Sequence, residues 1–161
     1  LAGDLMRDFQ LTAAGLGSQL GSAVALFPST TRPGAEEPAA TLKLPGLVVG
    51  APDDPSNVRF NAGDLARAWP GAILRTVSKS EATGLAENRR FSKFIGLGGS
   101  DRGTQRAVRP LLTGFLLYTL TGDKNYREFA DPEVRLPRTD AVDPDLAPVT
   151  AEEKLVALLR R

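Results

Sequence analysis

Two apolar runs bracket a helix-patterned segment, and that order restricts the chain to folds built on crossover connections. Residues 42–50 are nearly continuously apolar and contain the adjacent pair Val48 and Val49. Such a run suits a strand buried on both faces of a parallel sheet. Residues 61–69 place Ala62, Leu65, Ala66 and Trp69 on one side, and Pro70-Gly71 stops the helix. Residues 73–77 alternate Ile73, Arg75 and Val77 against Leu74 and Thr76, which reads as a strand, here taken as an outer one. A third strand is expected upstream at residues 22–27, SAVALF, closed by Pro28 and Ser29. Strands that alternate with helices imply a parallel sheet.

The remaining segments extend this α/β reading. Residues 1–10 have the pattern of an amphipathic helix, with Leu5, Met6 and Phe9 on one face. Residues 30–40 are rich in Pro, Gly and Glu and read as an exposed loop. Residues 104–121 carry the strongest helical pattern, with Leu111, Leu112, Phe115, Leu116 and Thr119 on one face and Gly122 as the stop. Pro110 puts the start of its regular part near Arg109, because proline fits the first turn of a helix. Residues 123–145 hold Pro132, Pro137 and Pro144 and read as irregular. Residues 150–161 read as a terminal helix with a capping box at Thr150 and Glu153.

The fold class expected is thus α/β, with a parallel sheet of about three strands and flanking helices. A sheet this small leaves a long apolar edge open, which is an aggregation hazard. A second polypeptide or an N-terminal segment is therefore expected to complete it. The whole of 1–161 reads as one partial domain, with a core at 22–130 and a tail with its terminal helix at 131–161. The start at Leu1 rather than Met suggests processing or a piece of a longer chain.

Composition excludes whole classes of chemistry. The chain has no His and no Cys, so a Ser-His-Asp triad, a thiol nucleophile and imidazole or thiolate metal sites cannot be built from it alone. No metal and no cofactor are expected. Twenty basic residues against nineteen acidic leave a net charge of +1, and no basic stripe interleaved with aromatics favours nucleic acid. No apolar run approaches the ~18 residues that span a bilayer. The compartment stays open between secreted and cytoplasmic.

The segment Val48-Val49-Gly50-Ala51-Pro52-Asp53-Asp54 resembles the α/β-hydrolases of the cutinase and polyester-hydrolase type. In that family a strand ends in a Gly-Ala-x-x-Asp turn whose last Asp orients the catalytic histidine. The resemblance puts that acid at Asp54, with Asp53 beside it. A helix and a strand follow in the family, and then a small polar loop that holds the histidine. Here the loop is Ser78-Lys79-Ser80-Glu81-Ala82-Thr83, and the histidine position falls at Ala82. The stretch LLTGFLLYTLTGDKNYREFA, residues 111–130, looks like the family's final helix and its Gly-Asp-x-x-Tyr-x-x-Phe sequel. There the helix packs on the sheet, and Tyr126 and Phe129 would anchor the tail.

The resemblance implies part of a serine ester hydrolase that supplies the triad acid and acts on a carboxylic or polymeric ester. The nucleophile elbow Gly-x-Ser-x-Gly has no good counterpart. Ser18 lies between Leu16 and Leu20 where the tight turn needs small residues, and Ser22 fails in the same way. Ala82 moves no proton. Natural loss of the base, a deliberate His-to-Ala replacement, and a base supplied by a partner are all compatible with it. Glu81 could serve as a weak carboxylate base. Two readings stand beside the esterase one: a non-catalytic hydrolase-like subunit that binds a partner, and an α/β binding module with Asp53 and Asp54 at the ligand crevice.

Other features have structural and functional readings. Trp69 reads as core packing. Phe91 and Phe94 lie in a long polar segment and are candidates for a lid or an interface. Gly96-Leu97-Gly98-Gly99-Ser100 lacks the Gly-Lys-Ser/Thr of a phosphate loop and precedes Asp101, so a structural loop capped by Asp101 or Thr104 is expected. Arg89, Arg90, Lys93, Arg102, Arg106 and Arg109 read as a solvated basic face that an acidic partner could use.

Overall fold

The computed structural model describes residues 20–29, 34–52, 61–80, 82–85 and 101–147, together with Glu152 and Leu159. Among the described residues four strands form one open sheet in the order β1-β2-β3-β4. They are β1 (Ala23–Leu26), β2 (Gly46–Gly50), β3 (Ala72–Thr76) and β4 (Asp140–Val142). The first three run parallel, with Ala25 opposite Val48 and Val48 opposite Leu74. β4 runs antiparallel to β3, pairing Leu74 with Val142 and Thr76 with Asp140. The fold is α/β as the sequence implies, but the sheet is mixed and has four strands rather than about three parallel ones. β3 is accordingly an interior strand and not an outer one. The fourth strand is hard to read in sequence because it has only three residues, Asp-Ala-Val, between Pro137 and Pro144.

Side-chain alternation along β2 separates two cores. Val48 joins Leu65, Ala66, Trp69 and Leu74 beneath helices α1 (Glu36–Ala39) and α2 (Asn61–Ala68). Leu47 and Val49 project to the other face and pack with Val108, Leu111 and Phe115 of helix α3 (Arg102–Thr121). All five residues of β2 are buried, as a strand covered on both faces requires. β1 is only half-buried along its length and forms one edge of the sheet. Trp69 is 2% exposed, and its indole N–H donates to the carbonyl of Leu44 at 3.3 Å, so the core reading of this residue holds.

Three further expectations change. The segment 30–40 is not wholly an exposed loop, since it contains α1, whose Ala39 is fully buried against the α2 core. Helix α3 starts at Arg102 and not near Arg109. Asp101 caps it, accepting from the amides of Gly103 and Thr104, and this capping outweighs the proline at position 110. Pro110 removes the hydrogen bond to the carbonyl of Arg106, but both residues are exposed and water can replace it. Gly122 ends the helix at a φ of +73°, and its N–H reaches Tyr118 O at 2.9 Å.

The segment 123–145 is more ordered than its prolines suggest. It holds a 3₁₀ helix, Lys124–Ala130, a second one, Pro144–Leu146, which runs beyond it, and β4. Phe129 packs against the α3 core, and its ring lies 6.3 Å from that of Tyr126. At the end of the chain Glu152 and Leu159 are helical, and Leu159 is exposed.

Candidate functional site

The carboxyl ends of β2 and β3 emerge side by side, because Gly50 is the register partner of Thr76. The Val77 amide donates to Gly50 O at 2.9 Å and extends the pairing one residue further. Two connections leave the sheet from this point. One begins at Ala51 and Pro52 and leads to Asp53 and Asp54. The other runs through Ser78, Lys79 and Ser80 to a 3₁₀ turn, Ala82–Leu85. Ala82 opens that turn. Asp53, Asp54, Glu81, Phe91 and Phe94 lie outside the described residues, as do Ser18, the Gly96–Ser100 run and Arg89, Arg90 and Lys93.

An open cleft of about 880 Å³ lies at the end of β3. Val77 to Ser80 form one wall, and Asp101 and Gly103 at the start of α3 form the next. The rest of the lining comes from the segment that leads into β4, including Glu133, Arg135, Arg138 and Thr139. Two cationic residues of the lining, Lys79 and Arg138, hold φ values of +56° and +66°. Non-glycine residues reach that region at a cost, and such positions concentrate at sites of function.

Beside the cleft a buried hydroxyl network ties Ser80 to the head of α3. Thr104 is fully buried, and its hydroxyl lies 2.7 Å from Asp101 Oδ2 and 2.9 Å from Ser80 Oγ. Ser80 is itself only 3% exposed. The Asp101 amide donates to Gly84 O at 3.0 Å, which ties the 3₁₀ turn to the head of the helix. Gly84 has no side chain because none fits: a Cβ there would come within 2.9 Å of Thr104 Oγ1. The Asp101 carboxyl is held below the usual carboxylate range by the Gly103 amide first, then by the Thr104 hydroxyl and amide. It is a charged acceptor at neutral pH and a poor general base.

Behind the cleft, Arg75 is fully buried in the middle of β3. Its guanidinium donates to Val134 O at 2.8 Å and Asp131 O at 2.6 Å, which pins the segment that leads into β4 to the sheet. Burial lowers its pKa, and the nearby Asp131 carboxylate opposes that shift. Sequence alternation marked Arg75 only as a strand residue. No local signal could have found its partners, 56 and 59 residues away.

Among the described residues no group of three His, Cys, Asp or Glu side chains could hold a metal ion, and no helix is long and apolar enough to cross a membrane. Arg102, Arg106 and Arg109 are exposed along α3. No protein family, curated protein or solved structure matches the chain.

Proposed function

We propose that this chain is the acid-bearing part of a serine ester hydrolase of the α/β-hydrolase type. In this reading Asp54 orients a histidine that, like the serine nucleophile, comes from another polypeptide or segment. The observation that carries the reading is the pairing of Gly50 with Thr76. It starts the turn that leads to Asp54 and the loop that leads to Ala82 from neighbouring strand ends, beside a cleft that could take a carboxylic or polymeric ester. Crevices at the carboxyl ends of parallel strands are where open α/β sheets bind ligands. The packing of α3 on the sheet and the seating of Phe129 agree with the same resemblance. The half-buried edge at β1 offers a place for the completing segment to extend the sheet.

In the complete site a serine would attack the ester carbonyl, the histidine would move the proton, and Asp54 would hold the imidazole in the right tautomer. Fixed N–H donors would stabilise the oxyanion. This chain contributes the carboxylate and one side of the cleft.

A second reading is favoured by the cleft lining itself. Its charged side chains are Lys79, Asp101, Glu133, Arg135, Arg138 and Asp140, and the pKa of Asp101 moves away from neutrality. A carboxylate held in its charged form by backbone amides is a poor proton carrier near pH 7. A non-catalytic subunit of the same fold, binding a partner through this region, needs no such carrier.

One experiment separates the two. The protein is isolated with whatever chain travels with it, then assayed on a p-nitrophenyl acyl ester and treated with a fluorophosphonate probe. The hydrolase reading expects labelling of a serine and a loss of about 10³-fold or more in Asp54→Asn. It also expects Ala82→His to raise activity if the base is missing rather than supplied. An assembly that is inert, unlabelled and unmoved by Ala82→His sinks it and leaves the binding subunit.

A further inference from the structure

Helix α3 carries its charge in an order that folding alone does not favour. Its twenty residues hold three arginines, Arg102, Arg106 and Arg109, and no aspartate, glutamate or lysine. Their spacing sets them side by side, within about 60° of the helix circumference and over about 10 Å of its length. All three are exposed. Like charges at such spacings repel one another and destabilise a helix. Arg102 also stands in the first turn, where the helix dipole disfavours a cation, while the last turn, where it would favour one, has none. Among the described residues neither Arg102 nor Arg106 has an ion-pair partner that would offset this.

The neighbouring sequence does not neutralise the row. Over residues 86–122 six basic residues stand against Glu87 and Asp101 alone, and the Asp101 carboxylate is taken up by the helix cap. The remainder of the chain is acidic on balance, with fourteen basic residues against seventeen acidic. Positive charge is thus gathered in one block of the chain, and part of it is set out in a row that costs the helix stability.

We propose that this row is a docking surface for an acidic segment of a partner protein, a helix that presents carboxylates at the same spacing. A guanidinium pairs with a carboxylate through two parallel N–H donors, and three of them along two turns match three carboxylates on two turns of a facing helix. Longer polyanions fit less well. Two helical turns offer a nucleic acid or an anionic membrane few contacts, and the acidic remainder of the chain repels both. No aromatic side chain stands among the arginines to stack on bases, since the first in α3 is Phe115. The inference stands apart from the hydrolase reading, because a catalytic assembly and a binding subunit both need a partner.

Two alanine-based peptides of equal length and charge test it on the intact protein. One carries three glutamates at positions i, i+4 and i+7, on one face, and the other carries them spread around the helix. Titrations at low salt are followed by the amide NMR shifts of Arg102, Arg106 and Arg109. The one-faced peptide is expected to shift all three saturably and to bind about 10-fold more tightly than the other, the size of a few exposed ion pairs formed together. Arg102→Gln combined with Arg106→Gln is expected to remove that preference and to leave the urea midpoint no lower than that of the wild type, because the row opposes helix formation. Equal binding of the two peptides, no binding of either, or a preference that survives the double substitution overturns the proposal. So does tighter binding of an oligouridylate or of phosphatidylserine vesicles than of the one-faced peptide, which would make the row a polyanion site. A urea midpoint lowered by the double substitution overturns it as well, since the arginines would then serve the fold.

Discussion

Gly46 lies beneath the indole of Trp69 so closely that a Cβ at position 46 would come within 2.7 Å of the ring. The first residue of β2 and the residue that follows α2 thus share one space, and the β2–α2 connection closes on that contact. Gly46→Ala is expected to cost about 1–3 kcal/mol, the range for an added methyl in a packed core. The ring is 2% exposed, so an added methyl presses on a packed core. Trp69 is the single tryptophan, so its fluorescence reports the site alone. The variant should lower the urea midpoint and shift the emission to the red. A Trp69→Phe change made on the Gly46→Ala background should recover part of the loss.

Arg75 contributes through its partners rather than through its charge. It spans from β3 to the carbonyls of Asp131 and Val134, and its Nε is buried without a hydrogen-bond partner among the described residues. Arg75→Met would fill much of the volume and remove the unpartnered Nε, but it would leave two carbonyls short of a donor. The expected cost is about 1–3 kcal/mol. Arg75→Ala adds a cavity and should cost more, about 3–5 kcal/mol. Chemical denaturation of the pair gives both numbers. A methionine variant as stable as wild type would show that the two hydrogen bonds stabilise nothing net.

The contrast between Trp69 and Arg75 explains how far the sequence could be read. Strand and helix periods are local, so β2, α2 and β3 follow from the spacing of Leu47, Val48, Leu65, Trp69 and Leu74. β4 is not legible, because three residues between prolines carry no period and pair only through β3. The start of α3 was hidden by Pro110, whose usual place is a first turn, whereas the Asp101 cap needed the geometry of two amides to be recognised. The site divides in the same way. Asp54 and Ala82 rest on a resemblance in chain order. The Ser80–Thr104–Asp101 chain joins positions 24 residues apart, and no spacing rule predicts it.

Asp101 should make stability depend on pH in the acid range. Its folded pKa lies below the ordinary 3.8, so the unfolded chain takes up the proton first as pH falls. The stabilisation is complete above pH 3.8 and fades as pH drops through the lowered folded value. Asp101→Ala removes both the cap and the titration, with a loss of about 1 kcal/mol at pH 7. Thermal unfolding of the two proteins across the acid range should show their difference shrinking as pH falls. A difference that stays constant or widens there would mean that the carboxylate is not held by these donors.

Arg67 holds the last described turn to the back of the sheet. From the end of α2 its guanidinium donates to Pro144 O at 3.1–3.2 Å and to Ala147 O at 3.1 Å, with a longer contact to Asp145 O at 3.4 Å. Its approach to the Asp145 carboxylate, 4.0 Å, is at the outer limit of an ion pair and involves exposed groups. The carbonyls therefore dominate, and they need a planar fork that lysine lacks. Arg67→Lys keeps the charge and should lose most of the tether, while Asp145→Asn removes the ion pair and should lose little. Hydrogen exchange at the Leu146 and Ala147 amides, which close the 3₁₀ turn through Asp143 O and Pro144 O, is the direct readout. Both amides should exchange several-fold faster in Arg67→Lys, with a global cost of about 1 kcal/mol. If Asp145→Asn accelerates them as much, the ion pair and not the fork is the tether.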